Sequence, residues 1–257
     1  MAGVPTRVWQ RERCYQCMML WSSLLLFFNT VALASTNPAK RQKSMVTIVY
    51  HAGFTGRAEA AMLLCEDTGI EYNMHRSAKD YCCSRGGGGE NKGFPAFACP
   101  ALVDGDFTLA QTVAMVEYLG QKAGRIPKDP KQAANHLQLN CDAADLWAEG
   151  YKARRDNEDK GAGWIQPEGR CVAWLRKFEA SLDHYPGEYA FSAEPSAAEY
   201  AWLNALRTME FCYGESFTAL LTPAVKGFMD KMCARPKLAT FLATAEPVLY
   251  DKVKAGN

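Results

Sequence analysis

Histidine is scarce in this chain, four in 257 residues, and net charge is almost absent at +1. An even charge balance removes the electrostatic ground for nucleic acid as the main partner, because phosphate binding rests on a basic surface. No Cys-x-x-Cys pair occurs after residue 44. The cysteines there (Cys65, Cys82, Cys83, Cys99, Cys141, Cys171, Cys212 and Cys233) lack metal-ligand spacing, so no zinc site is expected. Adjacent Cys82 and Cys83 bridge only with strain and read as loop thiols. With 48% hydrophobic residues the chain can bury a full core. The cysteines then read as small buried hydrophobes or reduced thiols, which points to a reducing compartment. No internal repeat is present, and strand patterning stops near Asp129.

What is present begins with an apolar run, "CMMLWSSLLLFFNTVALAST", preceded by Arg7, Arg11 and Arg13 and passing through Ala-Leu-Ala. This is the order of a secretory signal peptide, cleaved after Ala34. Met45 carries a second reading, in which translation starts there and residues 1–44 are a spurious extension. Either way residues 1–44 stand outside the expected fold. Location follows the same choice: cytoplasmic without the leader, the secretory pathway or an organelle with it.

"VTIVY" (46–50) is a β-branched run suited to a buried strand. After the loop "HAGFTG", "RAEAAMLLCEDTG" reads as a helix with Ala58, Met62 and Cys65 on its apolar side, stopped by Gly69. "IEYNMH" is a second strand. "SRGGGGENKG" reads as a flexible loop. "PALV", the turn "DGD" and "FTL" form a hairpin, and "QTVAMVEYLGQKAG" a helix. Beyond the linker "RIPKDPKQ" only helical periodicity remains. The expected architecture is an α/β domain over residues 45–124, then an all-α helical domain over 125–257.

The β-α-β then β-β-α order is the thioredoxin-like layout, in which a proline entering the hairpin adopts the cis form. Cis-Pro100 would turn the Cys99 backbone toward an extended peptide. Gln111-Thr112 opens the next helix, where unpaired N–H groups favour an anion. A peptide with a free carboxylate suits both. Four segments then carry a specific likeness: "VTIVY…GRAEAAMLLCEDTGIEY", "FPAFACPALVDGDFTLAQTVAMVEYLG", "SAAEY" and "RPKLATFLATAEP". In order and spacing they resemble the cytosolic glutathione transferases of the tyrosine type (sigma, pi, mu and alpha).

That resemblance implies conjugation of glutathione, the co-substrate, to small apolar electrophiles, with no metal, no membrane contact for the folded part and a homodimer. It also leaves open a glutathione-dependent isomerase or peroxidase, or a non-catalytic binding module. It makes Tyr50 the catalytic tyrosine, donating a hydrogen bond to the glutathione thiolate. The loop from Tyr50 to Gly56 is longer than in the relatives, which makes Thr55 the alternative donor. Arg57, Cys99, Pro100, Gln111 and Thr112 complete the glutathione contacts. Lys92, with Arg85 second, substitutes for the usual Trp and Lys, and Ala98 replaces a usual Gln or Lys. Ser196 to Glu199 is a helix-starting capping box. Phe54 with Trp147, Tyr151 and Arg154, spaced i, i+4, i+7 on one helix face, is the candidate electrophile pocket.

Overall fold

The computed structural model describes residues 45–249, all within one compact unit. The readings of residues 1–44 lie outside them. Strands β1 (Val46–Val49), β2 (Tyr72–His75), β3 (Ala101–Asp104) and β4 (Phe107–Ala110) form one sheet in the order β2-β1-β3-β4. β1 pairs with β2 in parallel and with β3 antiparallel; β3 and β4 are the hairpin, turning at Gly105. Parallel pairing needs a crossover. Helix α1 (Glu59–Thr68) supplies it, and left-handed Gly69 closes it with its N–H on the Cys65 carbonyl. Helix α3 (Thr112–Ala123) packs beside α1 and ends at left-handed Gly124. The expected strand 70–75 shortens to Tyr72–His75, because Gly69 and Ile70 both donate to Cys65 in capping α1.

The glycine run holds more structure than a tether. A four-residue helix, α2 (Ala78–Tyr81), precedes it, and the Gly88 N–H donates to the Lys79 carbonyl at 2.8 Å. A Cβ on Gly87 would stand 2.0 Å from that same oxygen, so only glycine permits the approach.

The helical part comprises α4 (Pro130–Asp156), α5 (Arg170–Leu182), α6 (Ala197–Tyr213), the short α7 (Glu215–Thr218), α8 (Pro223–Cys233) and α9 (Pro236–Thr244). Asp129 starts α4 by accepting from the Lys131 and Gln132 N–H groups, with Pro130 in the first turn. Fully buried Glu199 starts α6 by accepting from the Ser196 and Ala190 N–H groups at 2.7 and 2.9 Å.

One continuous apolar core runs from Ile48 and Leu102 on the sheet through Leu63 and Met115 to Leu146, Trp202 and Leu206. Trp202 stacks on Phe178 at 4.1 Å between ring centres and donates its indole N–H to the Leu139 carbonyl. Helix α6 binds the helices to the sheet layer. Its Tyr200 hydroxyl donates to Asp67 at 2.6 Å, and Asn204 donates to the Gly56 carbonyl at 3.0 Å. Among the described residues no helix is long and apolar enough to cross a membrane.

Burial pushes the Cys65, Cys171 and Cys212 thiols up to about 12 from an ordinary 9.0. The folded pKa is raised, so this stability is complete below about pH 9 and lost as pH climbs toward 12, where only the unfolded chain ionises easily. Each thiol contributes at most about 4 kcal/mol. Urea midpoints measured across this range should fall steeply. A flat profile would mean the folded thiols ionise as readily as unfolded ones.

Candidate active site

Tyr50 follows β1 directly, its N–H paired to the His75 carbonyl at 2.9 Å. Its ring is buried, and its phenol oxygen accepts from the Arg57 N–H at 3.1 Å. Burial pushes the phenol up to about 12, with nearby Cys99 adding to the effect. Tyr50 therefore keeps its proton at neutral pH and can donate it in a hydrogen bond while its oxygen accepts from Arg57. Engaging the oxygen as an acceptor strengthens the O–H as a donor. The chain must also leave room: Gly56 has φ +48°, and a Cβ there would lie 2.3 Å from the phenol oxygen.

The loop after Tyr50 is held from the far end of the chain. Thr55 and Gly56 donate their N–H groups to the carbonyls of Pro247 and Val248, at 3.0 and 2.8 Å. Arg76 joins this clamp, donating to the His51 carbonyl at 3.0 Å and pairing with Glu246. Thr55 is fully buried, and its hydroxyl donates to Glu59, itself fully buried and paired with Arg207 at 2.8 Å. The expected alternative donor is thus corrected: Thr55 is turned into the protein because a buried carboxylate needs its proton.

Arg57 begins the turn into α1, and its guanidinium lies 4.4 Å over the Trp147 ring. Burial lowers its pKa from the ordinary value. The Thr112 hydroxyl donates to the Arg57 carbonyl at 3.4 Å, so the openings of α1 and α3 meet. Arg57, Thr112, Trp147 and Asn204 line a cavity of about 20 Å³, room for a single water.

The Cys99–Pro100 bond is cis, and Pro100 is buried at the entry to β3. Gln111 is exposed at the N-terminus of α3 with φ 75° and ψ 120°. A non-glycine residue in that region carries roughly 1–3 kcal/mol of strain. Gln111→Gly should therefore raise unfolding stability by about 1 kcal/mol after the entropy of glycine is subtracted, and chemical denaturation reads it. A loss of stability would mean the side chain holds the helix start.

Exposed Lys92 donates to the Gly89 carbonyl at 3.3 Å, and Arg85 ends the turn Cys83–Arg85. Of the expected pocket residues, Trp147 lines the 20 Å³ cavity beside Arg57. Phe54 packs edge-on to Tyr50 at 5.4 Å, and Trp147 meets Tyr151 at 4.9 Å. Arg154 alone of the four lines a cavity of about 650 Å³ between α4, α6 and residues 242–248, with Arg207, Phe211, Tyr213, Leu242 and Val248. Its Nε donates to the Cys212 carbonyl at 3.0 Å.

His51 was not singled out from the sequence. Its Nε2 lies 3.1 Å from the Cys99 sulfur, and its ring stacks on Phe54 and stands 5.2 Å from Tyr50. The extra length of the 51–55 loop was the available signal. Among the described residues, His75, Asp80 and Glu90 form the trio whose donor atoms could share a metal ion. There His75 is already hydrogen-bonded to Asp80 at 2.8 Å, which holds that carboxyl below its usual range.

Residues 147–245 match the family described as Glutathione S-transferase, C-terminal domain. Glutathione S-transferase P of Bos taurus is 28% identical over 210 residues, spanning 78% of this chain and 92% of its own. The Homo sapiens protein of that name is 29% identical over 158 residues, 58% of this chain and 70% of its own. The solved structure of the Onchocerca volvulus pi-class glutathione S-transferase aligns with a TM-score of 0.63 at 21% identity, over 80% of this chain and 98% of that one. This last likeness is one of fold: a thioredoxin-like sheet with helices, followed by an all-helical domain. The chain is a homologue of the pi-class cytosolic glutathione S-transferases.

Proposed function

We propose that the protein is a glutathione transferase, joining the glutathione sulfur to small, largely apolar electrophiles. Residues 45–124 bind glutathione, and residues 125–257 form most of the electrophile pocket. The observation that carries this is the meeting of three features at one end of the sheet: protonated Tyr50, cis-Pro100 and strained Gln111 beside Thr112. The peptide backbone pairs along Cys99, and its γ-glutamyl carboxylate is held at the start of α3, where N–H groups and the helix dipole favour an anion. Arg57, stacked on Trp147, adds positive charge.

A thiol of pKa about 8.5 is mostly protonated at neutral pH. The Tyr50 hydroxyl donates to the thiolate and stabilises it by roughly 1.5–3 kcal/mol. That lowers the thiol pKa by about one to two. The thiolate then attacks the electrophilic carbon, and holding both reactants side by side supplies much of the rate. The 650 Å³ cavity offers apolar surface at Phe211, Leu242 and Val248 beside the charged Arg154, Arg207, Glu210 and Glu246. Two copies associate, a reading supported by Phe94 and Phe97, 76% and 73% exposed ahead of Pro100.

Calorimetric titration of glutathione into the full chain, with sedimentation of the same sample, tests this. Binding with roughly tenfold loss in Gln111→Ala is expected, from the loss of a hydrogen bond to a charged group. No binding by the wild type would reject glutathione as the co-substrate.

A further inference from the structure

We propose that Cys99 and His51 form a second reactive pair in the glutathione site, at which Cys99 accepts a glutathionyl group from a glutathione disulfide. The proposal rests on the reading that glutathione binds at Cys99–Pro100.

The two side chains come from separate segments, 48 residues apart, and meet with Nε2 3.1 Å from the sulfur. The exposed imidazole meets two rings: it stacks on Phe54 with planes 13° apart and lies beside Tyr50. The backbone behind it is fixed by Arg76, which donates to the His51 carbonyl. A thiol held against an oriented imidazole is the arrangement that turns cysteine into a nucleophile near neutral pH. Cys99 is half-buried, so the pair remains open to solvent, whereas Cys65, Cys171 and Cys212 are buried and held protonated. A thiolate immediately before the cis-proline also stands where the peptide chain of glutathione would run, close to the sulfur that Tyr50 serves.

The exchange is balanced within these groups. His51 Nε2 takes the Cys99 proton. The Cys99 thiolate attacks one sulfur of a disulfide R–S–S–G, the S–S bond breaks, Cys99–S–S–G forms, and RS⁻ leaves with the proton from His51. A glutathione thiolate bound beside Tyr50 then attacks the glutathionyl sulfur, releasing glutathione disulfide and restoring the Cys99 thiolate. No outside oxidant enters, because each disulfide bond broken is replaced by one formed. The protein thereby gains a thiol–disulfide exchange activity distinct from conjugation.

The test treats the full chain with glutathione disulfide at neutral pH and maps the adduct by peptide mass spectrometry. Wild type, His51→Asn and Cys99→Ser are compared, with exposed Cys83 as the internal reference. In parallel, the rate of Cys99 alkylation by iodoacetamide is followed against pH. Modification should fall on Cys99 ahead of Cys83. His51→Asn should slow it roughly tenfold or more and move its alkylation profile to higher pH. If calorimetry shows glutathione bound yet Cys99 reacts no faster than Cys83, or His51→Asn leaves rate and profile unchanged, the reactive pair is overturned while the transferase reading survives. If glutathione does not bind but the His51-dependent alkylation profile persists, the transferase reading falls and the glutathionyl exchange with it.

Discussion

Replacing Tyr50 by phenylalanine should cut kcat/KM for conjugation to an aryl halide by roughly tenfold to a hundredfold, the rate equivalent of a lost 1.5–3 kcal/mol hydrogen bond. The ring stays packed against Phe54, so the fold should survive. The Arg57 N–H loses its acceptor, at a cost of about 1 kcal/mol in stability. The diagnostic reading is the ultraviolet absorbance of bound thiolate against pH, because a donor acts on the thiol pKa. Without the hydroxyl, the bound thiol should titrate near its free value, so raising the pH should restore much of the lost rate. An unchanged thiol pKa in the Tyr50→Phe protein would mean that the phenol, pointed at Arg57, never reaches the sulfur.

Glu59→Ala is expected to destabilise the fold by about 3 kcal/mol, the low end of the range for breaking a buried ion pair. Glu59 is fully buried and accepts from both the Thr55 hydroxyl and Arg207 Nε. Alanine leaves a buried hydroxyl and a guanidinium without their carboxylate. The cost is moderated because the Arg207 side chain, 23% exposed, can turn toward water. For a chain of this length the melting temperature should drop by roughly 6–12 °C. The double variant Glu59→Leu with Arg207→Leu should recover part of the loss, since apolar groups replace the pair without stranding a charge. A single-variant cost below about 1 kcal/mol would refute the pinning role. Because Thr55 sits between Tyr50 and Glu59, conjugation should also fall in Glu59→Ala beyond what unfolding explains.

These expected results differ in how far each could be foreseen. The settings of Tyr50, Pro100, Gln111 and Thr112 were legible because they are local: a β-branched run ending in an aromatic, a proline entering a hairpin, a polar pair before a helical period; the roles given to them rest on the family resemblance. Strand and helix order followed likewise, since period two and period 3.6 are written in neighbouring residues. The start of α6 at Ser196 was equally open, since a helix-starting serine acts within one turn.

The 51–55 loop was not legible, and it holds most of what distinguishes this site. Its shape is decided by Pro247 and Val248, nearly two hundred residues away, whose carbonyls take the Thr55 and Gly56 N–H groups. That pairing turns Thr55 inward to Glu59 and leaves His51 outward beside Cys99. Arg57 rests on Trp147 because α6 draws the helices against α1 through Tyr200 and Asn204. The i, i+4, i+7 spacing put Trp147, Tyr151 and Arg154 on one face, but which cavity each lines depends on the neighbouring helices. The amino-acid sequence alone determined the main strands and helices, their order and the residues that open α3 and α6, because those follow from short-range sterics and hydrogen bonding. Only the tertiary structure decided which way the side chains of the 51–57 segment point, because buried polar groups choose their partners from distant parts of the chain.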